Sequence, residues 1–503
     1  MKLLKIQKRF LNSSCNVKNV ISEASEFCEP YENIPGPKPL PLLGNSWRFL
    51  PLIGNFQIQH IDKVSINLYK KYGKIVKMQG LLGRPDMIFL FDPDEIEKVF
   101  RKEDSMPLRP SMPSLNYYKH VLRKEFFGEQ GGIIAVHGIN WQKFRSKVNQ
   151  IMLQPKSARL YSKVISQTAE EFVQRIKQLR NQDLEMPDGF LNEIHRWSLE
   201  SLARIALDIR MGCLDANPPQ DTQKLIDSIN TFFINVPILE LKIPFWRLFN
   251  TPTFVEYINA LDCIKEICLK YIKQSMDNLD WQVEENQLSV MQKVLKRHKN
   301  VKLASILALD LFLVGVDTTS NAIASILYQL AINPEKQQIL HQEIDKLLPN
   351  PNSELTLENL DQMSYLKACI KETMRLYPVV IGNGRETSID SIIGGYHVPK
   401  GVQIIFQHYV ISNQDVYFKK SNQFIPERWL LNQKNHHPFA SLPFGFGKRM
   451  CLGKRFAELE IQTLLAKIIR NYKIEYHRDK LDYFIHPMYT PNGPLNLKFV
   501  NKM

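Results

Sequence analysis

Apolar residues recur at helical spacing over Gln167–Leu179, Leu303–Ala331 and Pro334–Leu347, and each run predicts a helix with a buried face. The middle run is apolar for most of its length, the pattern of a helix inside a core. Shorter runs of β type lie near Lys74–Phe91, Ile392–Gln407 and the C-terminus. Within the second of these, Ile393–Ile405 reads as a hairpin with Pro399 and Gly401 in its turn. No repeat and no low-complexity linker divides the middle of the chain. The pattern therefore fits one large, mostly helical unit with small β-sheets. That differs from the three domains that 503 residues would suggest at roughly 150 residues each.

Composition changes this picture little. A chain that is 44% hydrophobic has ample material for a large core. Seven cysteines, an odd number without framework spacing, argue against a disulfide scaffold and for a reducing compartment. The net charge of +14 would suit nucleic acid. Yet the basic residues are dispersed and no nucleic-acid-binding motif accompanies them. An acidic protein partner or an anionic membrane surface accounts for the charge equally well.

The first 22 residues carry Lys2, Lys5, Lys8, Arg9 and Lys18 with no acid, interleaved with Leu3, Leu4, Ile6, Phe10 and Leu11. This is the composition of a mitochondrial presequence, and equally of a disordered basic tail. A spanning anchor is excluded by length and a secretory signal by the lack of a continuous apolar stretch. Four prolines between Pro35 and Pro41 then impose a stiff extended segment over 34–44, a linker or a hinge.

The sharpest chemistry lies in Phe444–Gly453. Cys451 stands between glycines, beside Lys448 and Arg449, and directly before a helical run over Lys454–Tyr472. A helix N-terminus and nearby cations favour a thiolate. Gly445, Gly447 and Gly453 let the backbone approach a flat ligand, and Phe444 and Phe446 can shield sulfur from water. One cysteine does not make a zinc site, but it suffices as the protein ligand of a haem iron. Without this setting, a lone cysteine is most often a buried hydrophobe.

This decapeptide resembles the haem-binding signature of the cytochrome P450 family, Phe-x-x-Gly-x-Arg-x-Cys-x-Gly. It matches at Phe444, Gly447, Arg449, Cys451 and Gly453. The resemblance covers roughly residues 31–500. It implies a mostly α fold with small β-sheets, in a single large domain over 31–503 that holds haem b with Cys451 on the iron. It is also the reason to accept one domain of this length. Endoplasmic-reticulum members usually begin with a spanning helix, so the resemblance tips residues 1–30 towards a mitochondrial presequence and flexible start. It also makes 34–44 the proline-rich hinge.

Further motifs take their meaning from the same resemblance. Trp141 and Arg145 lie one helical turn apart and can both donate to a carboxylate. Alone they would be an ordinary amphipathic helix; in the family, this helix meets a haem propionate. His137 is a weaker candidate. Val314–Ser320 puts Gly315, Asp317 and two threonines inside the long apolar helix, where glycine and threonine weaken helical structure. It resembles the oxygen-activation motif, with Asp317 and Thr318 relaying protons beside a local opening of the helix. Val314 departs from the usual Ala or Gly there, and with Gly315 it is expected to line the substrate pocket.

Glu372 and Arg375, three apart on a helix, would usually form a modest surface pair. In the family they join a downstream arginine, here Arg428, as a structural trio behind the haem. The loop that follows brings Val379 and Val380 to the substrate pocket and Arg385 to a propionate. Lys367, Lys371, Lys454 and Arg455 are candidate docking cations for an acidic electron carrier. Singly, each would read as a solvated surface residue. His397 and His408 read as structural.

Local wording at Leu366–Thr373 and Gly453–Glu460 resembles the mitochondrial branch, which takes electrons from an adrenodoxin-type ferredoxin. Tyr117–Tyr118, Gly131–Ile134, Met152–Pro155 and Arg196–Ser201 look most like its insect members. The expected protein is a monooxygenase acting with O2 on a lipophilic small molecule, peripheral on the matrix face of the inner mitochondrial membrane, with no nucleic-acid partner. A sterol hydroxylase of the same branch and an endoplasmic-reticulum enzyme served by a flavin reductase are the alternatives. Outside oxygen activation stand a haem-thiolate binder or isomerase and a basic scaffold without haem.

Overall fold

The long apolar run forms one continuous helix, Val301–Ile332, buried along most of its length. Its first free N–H groups are met by the Asn300 side chain, which accepts from Leu303 N at 2.8 Å. The computed structural model describes residues 28–279, 282–284, 286–350, 353–430, 436–485 and 488–502. The basic segment expected as a presequence lies almost wholly outside the described residues.

In chain order the helices that matter below are α1 (Ile61–Tyr72), α2 (Pro93–Arg101), α3 (Gly138–Met152), α4 (Ser162–Leu179) and α5 (Phe190–Leu207). They are followed by α6 (Gln220–Leu241), α7 (Pro252–Asp277), α8 (Val290–His298), α9 (Val301–Ile332) and α10 (Pro334–Leu347). The last two are α11 (Ser364–Leu376) and α12 (Lys454–Asn471). Packing explains the order: α9 carries apolar residues on every side because α5, α7, α8, α11 and α12 all lie against it. The N-terminal half of α9 belongs to one apolar cluster with α3 and α5 to α8, and its C-terminal half to a second with α4 and α10 to α12.

The strands sit at the edges of this helical body. A four-stranded sheet runs in the order β1 (Ile75–Met78), β2 (Met87–Leu90), β6 (Gln403–Phe406), β3 (Asn383–Glu386). β2 and β6 are parallel, and the other two pairings are antiparallel. Two-stranded pairs join β4 (Ser391–Ile393) to β5 (Tyr396–Val398), β8 (Asp482–Ile485) to β9 (Tyr489–Asn492), and β7 (Tyr472–Glu475) to β10 (Lys498–Asn501).

The expected hairpin is displaced. Its turn is Gly394–Gly395, where both residues have positive φ (58° and 85°), as a tight two-residue turn demands. Pro399 and Gly401 instead lead β5 out to β6 in the larger sheet.

The proline-rich segment is strapped to this sheet. Lys77 N donates to Pro35 O, and Lys77 Nζ reaches the Tyr31 and Glu32 carbonyls at 3.0 Å. Glu29 bridges Tyr396 on β5, so packed chain begins before residue 31. Among the described residues no helix is long and apolar enough to cross a membrane.

Candidate functional site

The Cys451 loop is a tight turn built on its glycines. Gly445 and Gly447 have φ of 67° and 73°, and a Cβ on Gly447 would stand 2.9 Å from Glu103 Oε2. Cys451 N donates to Phe444 O at 2.9 Å, and Gly453 is the residue before α12. Gly453 has an ordinary φ of −83° and open space where its Cβ would be. The sulfur is accessible by area, yet burial among protein atoms pushes the thiol pKa up. The two agree for a side chain on the wall of an internal space.

The groups that pull the thiol back down are the N–H groups of Gly453 and Lys454 with Arg145 and Arg109. The expected cations, Lys448 and Arg449, are occupied elsewhere. Lys448 Nζ donates to Asp104 O at 2.8 Å, and Arg449 turns to the Pro107 and Val136 carbonyls at 3.0 Å.

Around this loop the fold gathers four guanidiniums, three of them buried and that of Arg109 half-buried. Arg449 lies 3.7 Å over the ring of Trp141 on α3. Arg145, one turn further along α3, donates to Met450 O at 2.7 Å, while its Nε has no partner. Arg385, on β3, pairs with Glu103 Oε1 at 2.5 Å and rests over Phe100. Arg109 arrives because Leu108 bridges Glu386 beside Arg385, and its guanidinium has no protein hydrogen-bond partner among the described residues.

Burial lowers Arg145 to about 10, and burial with repulsion from neighbouring guanidiniums lowers Arg109 to about 10 and Arg449 to about 8. A guanidinium does not give up its proton under ordinary conditions, so these shifts express a standing electrostatic cost. Among the described residues Glu103 is the one carboxylate acting within the cluster, and its Oε2 is itself unpartnered. Such a cluster fits a flat ligand that brings carboxylates to Arg109 and Arg145 and an acceptor for thiolate sulfur, the donor set a haem needs. Arg109 and Glu103 were not singled out from the sequence; the one local signal is an arginine in Pro107–Pro110, too short to rank.

Beyond the loop, α9 presents the acid and alcohol. Thr318 Oγ1 donates back to Val314 O at 2.7 Å, and the helix runs through this point unbroken. The expected opening is therefore absent: the hydroxyl caps a carbonyl within regular helix. Asp317 is buried with an unpartnered Oδ1, and burial raises its pKa to about 7. His195 Nε2 of α5 lies 3.4 Å from that oxygen. A Cβ at Gly315 would meet Leu202 on α5 at 3.1 Å, so this glycine lets the two helices close up. Val314 and Val379 pack partly buried against the first cluster, whereas Val380 is 49% exposed.

A loop joins α9 to the thiol side. Asp310, one end of a buried pair with Lys119 at 2.6 Å, accepts from Ile133 N at 2.7 Å and also from Ile134 N. The same loop ends on Val136 O, which holds Arg449.

Glu372 on α11 is saturated. Its Oε1 accepts from Arg375, Arg428 and Ile425 N at 2.8–3.0 Å, and its Oε2 from Arg375 and Trp429 Nε1 at 2.9 and 2.8 Å. Arg375 spends its remaining donors on the Ser412 and Gln423 carbonyls. On the outside of α11, Lys367 bonds Asp361 O and Lys371 is exposed. Lys454 and Arg455 open α12, each 3.8–3.9 Å from Glu458. His137 precedes α3 with its Nδ1 unpartnered, His397 is half-exposed on β5, and His408 is buried with neither ring nitrogen hydrogen-bonded.

The cytochrome P450 family model matches residues 34–499. A probable cytochrome P450 49a1 of Drosophila melanogaster is 49% identical, covering 95% of this chain and 84% of the relative. A probable cytochrome P450 301a1, mitochondrial, of the same fly is 48% identical over 93% and 87%. A probable cytochrome P450 12a5, mitochondrial, is 38% identical over 94% and 91%. With that match over nearly the whole chain, the protein belongs to the cytochrome P450 family of haem-binding monooxygenases.

Proposed function

We propose that this P450 is a mitochondrial monooxygenase of lipophilic small molecules, reduced by NADPH through a ferredoxin reductase and an adrenodoxin-type ferredoxin. The observation that carries the site assignment is the excess of buried guanidinium charge around the Cys451 loop. Cys451 is the iron ligand. Arg109, Arg145, Arg385 and Arg449, with Trp141 and the backbone turn from Phe444 to Gly453, seat the cofactor and its carboxylates. When bound, the haem iron supplies the oxidation chemistry.

The chain's own work is proton supply and orientation. Asp317 holds a proton up to about neutral pH, and Thr318, anchored to Val314 O, fixes a hydroxyl one residue away. Val314 and Val379 form apolar wall, which favours lipophilic substrates, foreign compounds or an endogenous lipid. Glu372, Arg375 and Arg428 are structural. Lys367, Lys371, Lys454 and Arg455 lie on α11 and α12, which pack together, and form the dock for an acidic carrier.

The mitochondrial reading draws on the two relatives so named and on the basic start of the chain. Membrane contact draws on exposed Leu52, Ile53, Phe245, Leu248 and Phe249. These residues flank a cleft of about 270 Å³ whose walls include Pro51 and Phe245.

A carbon-monoxide difference spectrum of the purified protein, reduced by NADPH with ferredoxin and its reductase, tests the reading. The red-shifted band of thiolate ligation is expected. Appearance only with dithionite or a flavin reductase would move the enzyme to another electron route. Absence by every route in haem-loaded protein would remove Cys451 as ligand. Thr318→Ala should divert oxygen to hydrogen peroxide, and unchanged product coupling would end the proton-supply role.

A further inference from the structure

His195 lies in the N-terminal half of α5 with its side chain buried, and it faces the acid of α9. Its Nε2 and Asp317 Oδ1 are 3.4 Å apart, without hydrogen-bond alignment, and neither atom has another partner. Two unpartnered polar atoms aimed at each other inside a core are costly unless they bond to one another. A small rotation of the ring would align them.

We propose that His195 is a positioning residue for Asp317: the imidazole and the carboxyl share one proton between α5 and α9 and keep that carboxyl poised as a donor. This rests on the reading of Asp317 as the proton-supplying acid.

Burial alone moves both groups, the carboxyl up to about 7 and the imidazole down to about 4. Between those values the pair carries one proton in total, whichever atom holds it, and it titrates as a pair. No neighbouring charge sets this. On α5, Glu193 pairs with Arg196 and with Arg175 of α4, and Glu200 pairs with Arg204. From α12, Glu460 accepts from Ser201, and on α9 itself Asp310 is taken by Lys119. Neither member of the pair feels any of them appreciably. Two contacts hold the elements in this register. Ser198, one turn from His195, donates to Val316 O at 3.1 Å, and Gly315 lies against Leu202.

The test is an infrared pH titration of the full-length, haem-loaded protein, following the carboxylic-acid carbonyl band that Asp317→Asn removes. In the wild type the band should fade around neutral pH. His195→Phe deletes the donor that stabilises the carboxylate and should raise the midpoint by about one to two pH units. His195→Gln restores an N–H donor and should bring the midpoint back. Product coupling should follow the same midpoints.

In wild-type protein labelled with ¹⁵N-histidine, one set of imidazole bands should change at the midpoint of the carboxyl, a measurement that needs no variant to fold. A midpoint indifferent to His195→Phe, or no histidine band that tracks it, would overturn the pairing. The infrared midpoint reads the pair whether or not Asp317 supplies protons, so failure of that role would show separately, as unchanged coupling in Asp317→Asn.

Discussion

Two buried clusters of charge flank α11 and the Cys451 loop, and they are built on opposite terms. Around Glu372 every donor has an acceptor, and carboxylate meets guanidinium at 2.8–3.0 Å, with Glu372 and Arg375 themselves closed to water. Around Arg449, among the described residues, four guanidiniums face one carboxylate, three of them repelling Arg449, and Arg145 Nε and Glu103 Oε2 stay unpartnered. The first cluster is complete as folded. The second carries an electrostatic cost that only an anionic ligand offsets, and that asymmetry separates a structural knot from a binding site more surely than burial does.

The largest effect should come from breaking the complete cluster. Glu372→Gln leaves two arginines without their counter-ion and should cost about 3–5 kcal/mol. Urea denaturation should show this loss with and without haem, since the cluster serves the fold. A loss seen only in the haem-loaded protein would make it part of the ligand site.

Next is Asp317, a second buried group without balance. Its carboxyl titrates near 7 when folded against 3.8 as the ordinary value. The folded state therefore binds more protons than the unfolded chain between those limits. Stability falls as pH rises through that window and is level above it. Asp317→Asn should thus match the wild type near pH 4 and exceed it above pH 7, by on the order of a few kcal/mol. Unfolding midpoints across pH would show the divergence. Parallel curves would mean the carboxyl is hydrated in the fold.

Removing one unbalanced charge should have a split outcome. Arg145→Met should leave haem-free stability within about 1 kcal/mol, because one carbonyl bond is lost while repulsion is relieved. The same change should speed haem loss roughly 10- to 100-fold, the worth of a charge-assisted bond. Haem transfer to an apo-globin would measure it. Equal losses in both states would place Arg145 with the structural cluster.

The smallest effect belongs to the surface. Lys367→Glu with Lys371→Glu should lower the ferredoxin-supported rate by up to about tenfold at low salt and less at high salt, as screened charges do. Dithionite reduction should be unaffected.

What could be read in advance follows the range of each interaction. Phe444–Gly453 is a local pattern, so the loop and its helix were legible; the Arg428 partner of Glu372, 56 positions away, followed from the family resemblance alone. The helix over Pro334–Leu347 was placed to the residue because proline opens it and its apolar spacing is regular. Arg109 and Glu103 meet Arg449 and Arg385 only across some 280–340 positions, through a single strand bridge. No short-range pattern announces them. His195 sits in an ordinary amphipathic stretch, and only the folded register of α5 against α9 brings it to Asp317. At Gly394–Gly395 two neighbouring turn signals compete, and the glycine pair, free to take positive φ, makes the turn where Pro399 and Gly401 do not.

The loop from Gly131 to Val136 has a further consequence. One end is fastened to α9 through Asp310 and the other to the Cys451 turn through Arg449. A fixed length of backbone thus spans α9 and the Cys451 turn, the two walls of the proposed site. The loop acts as a caliper: one residue added or removed there would reset the jaw width without touching any reacting group.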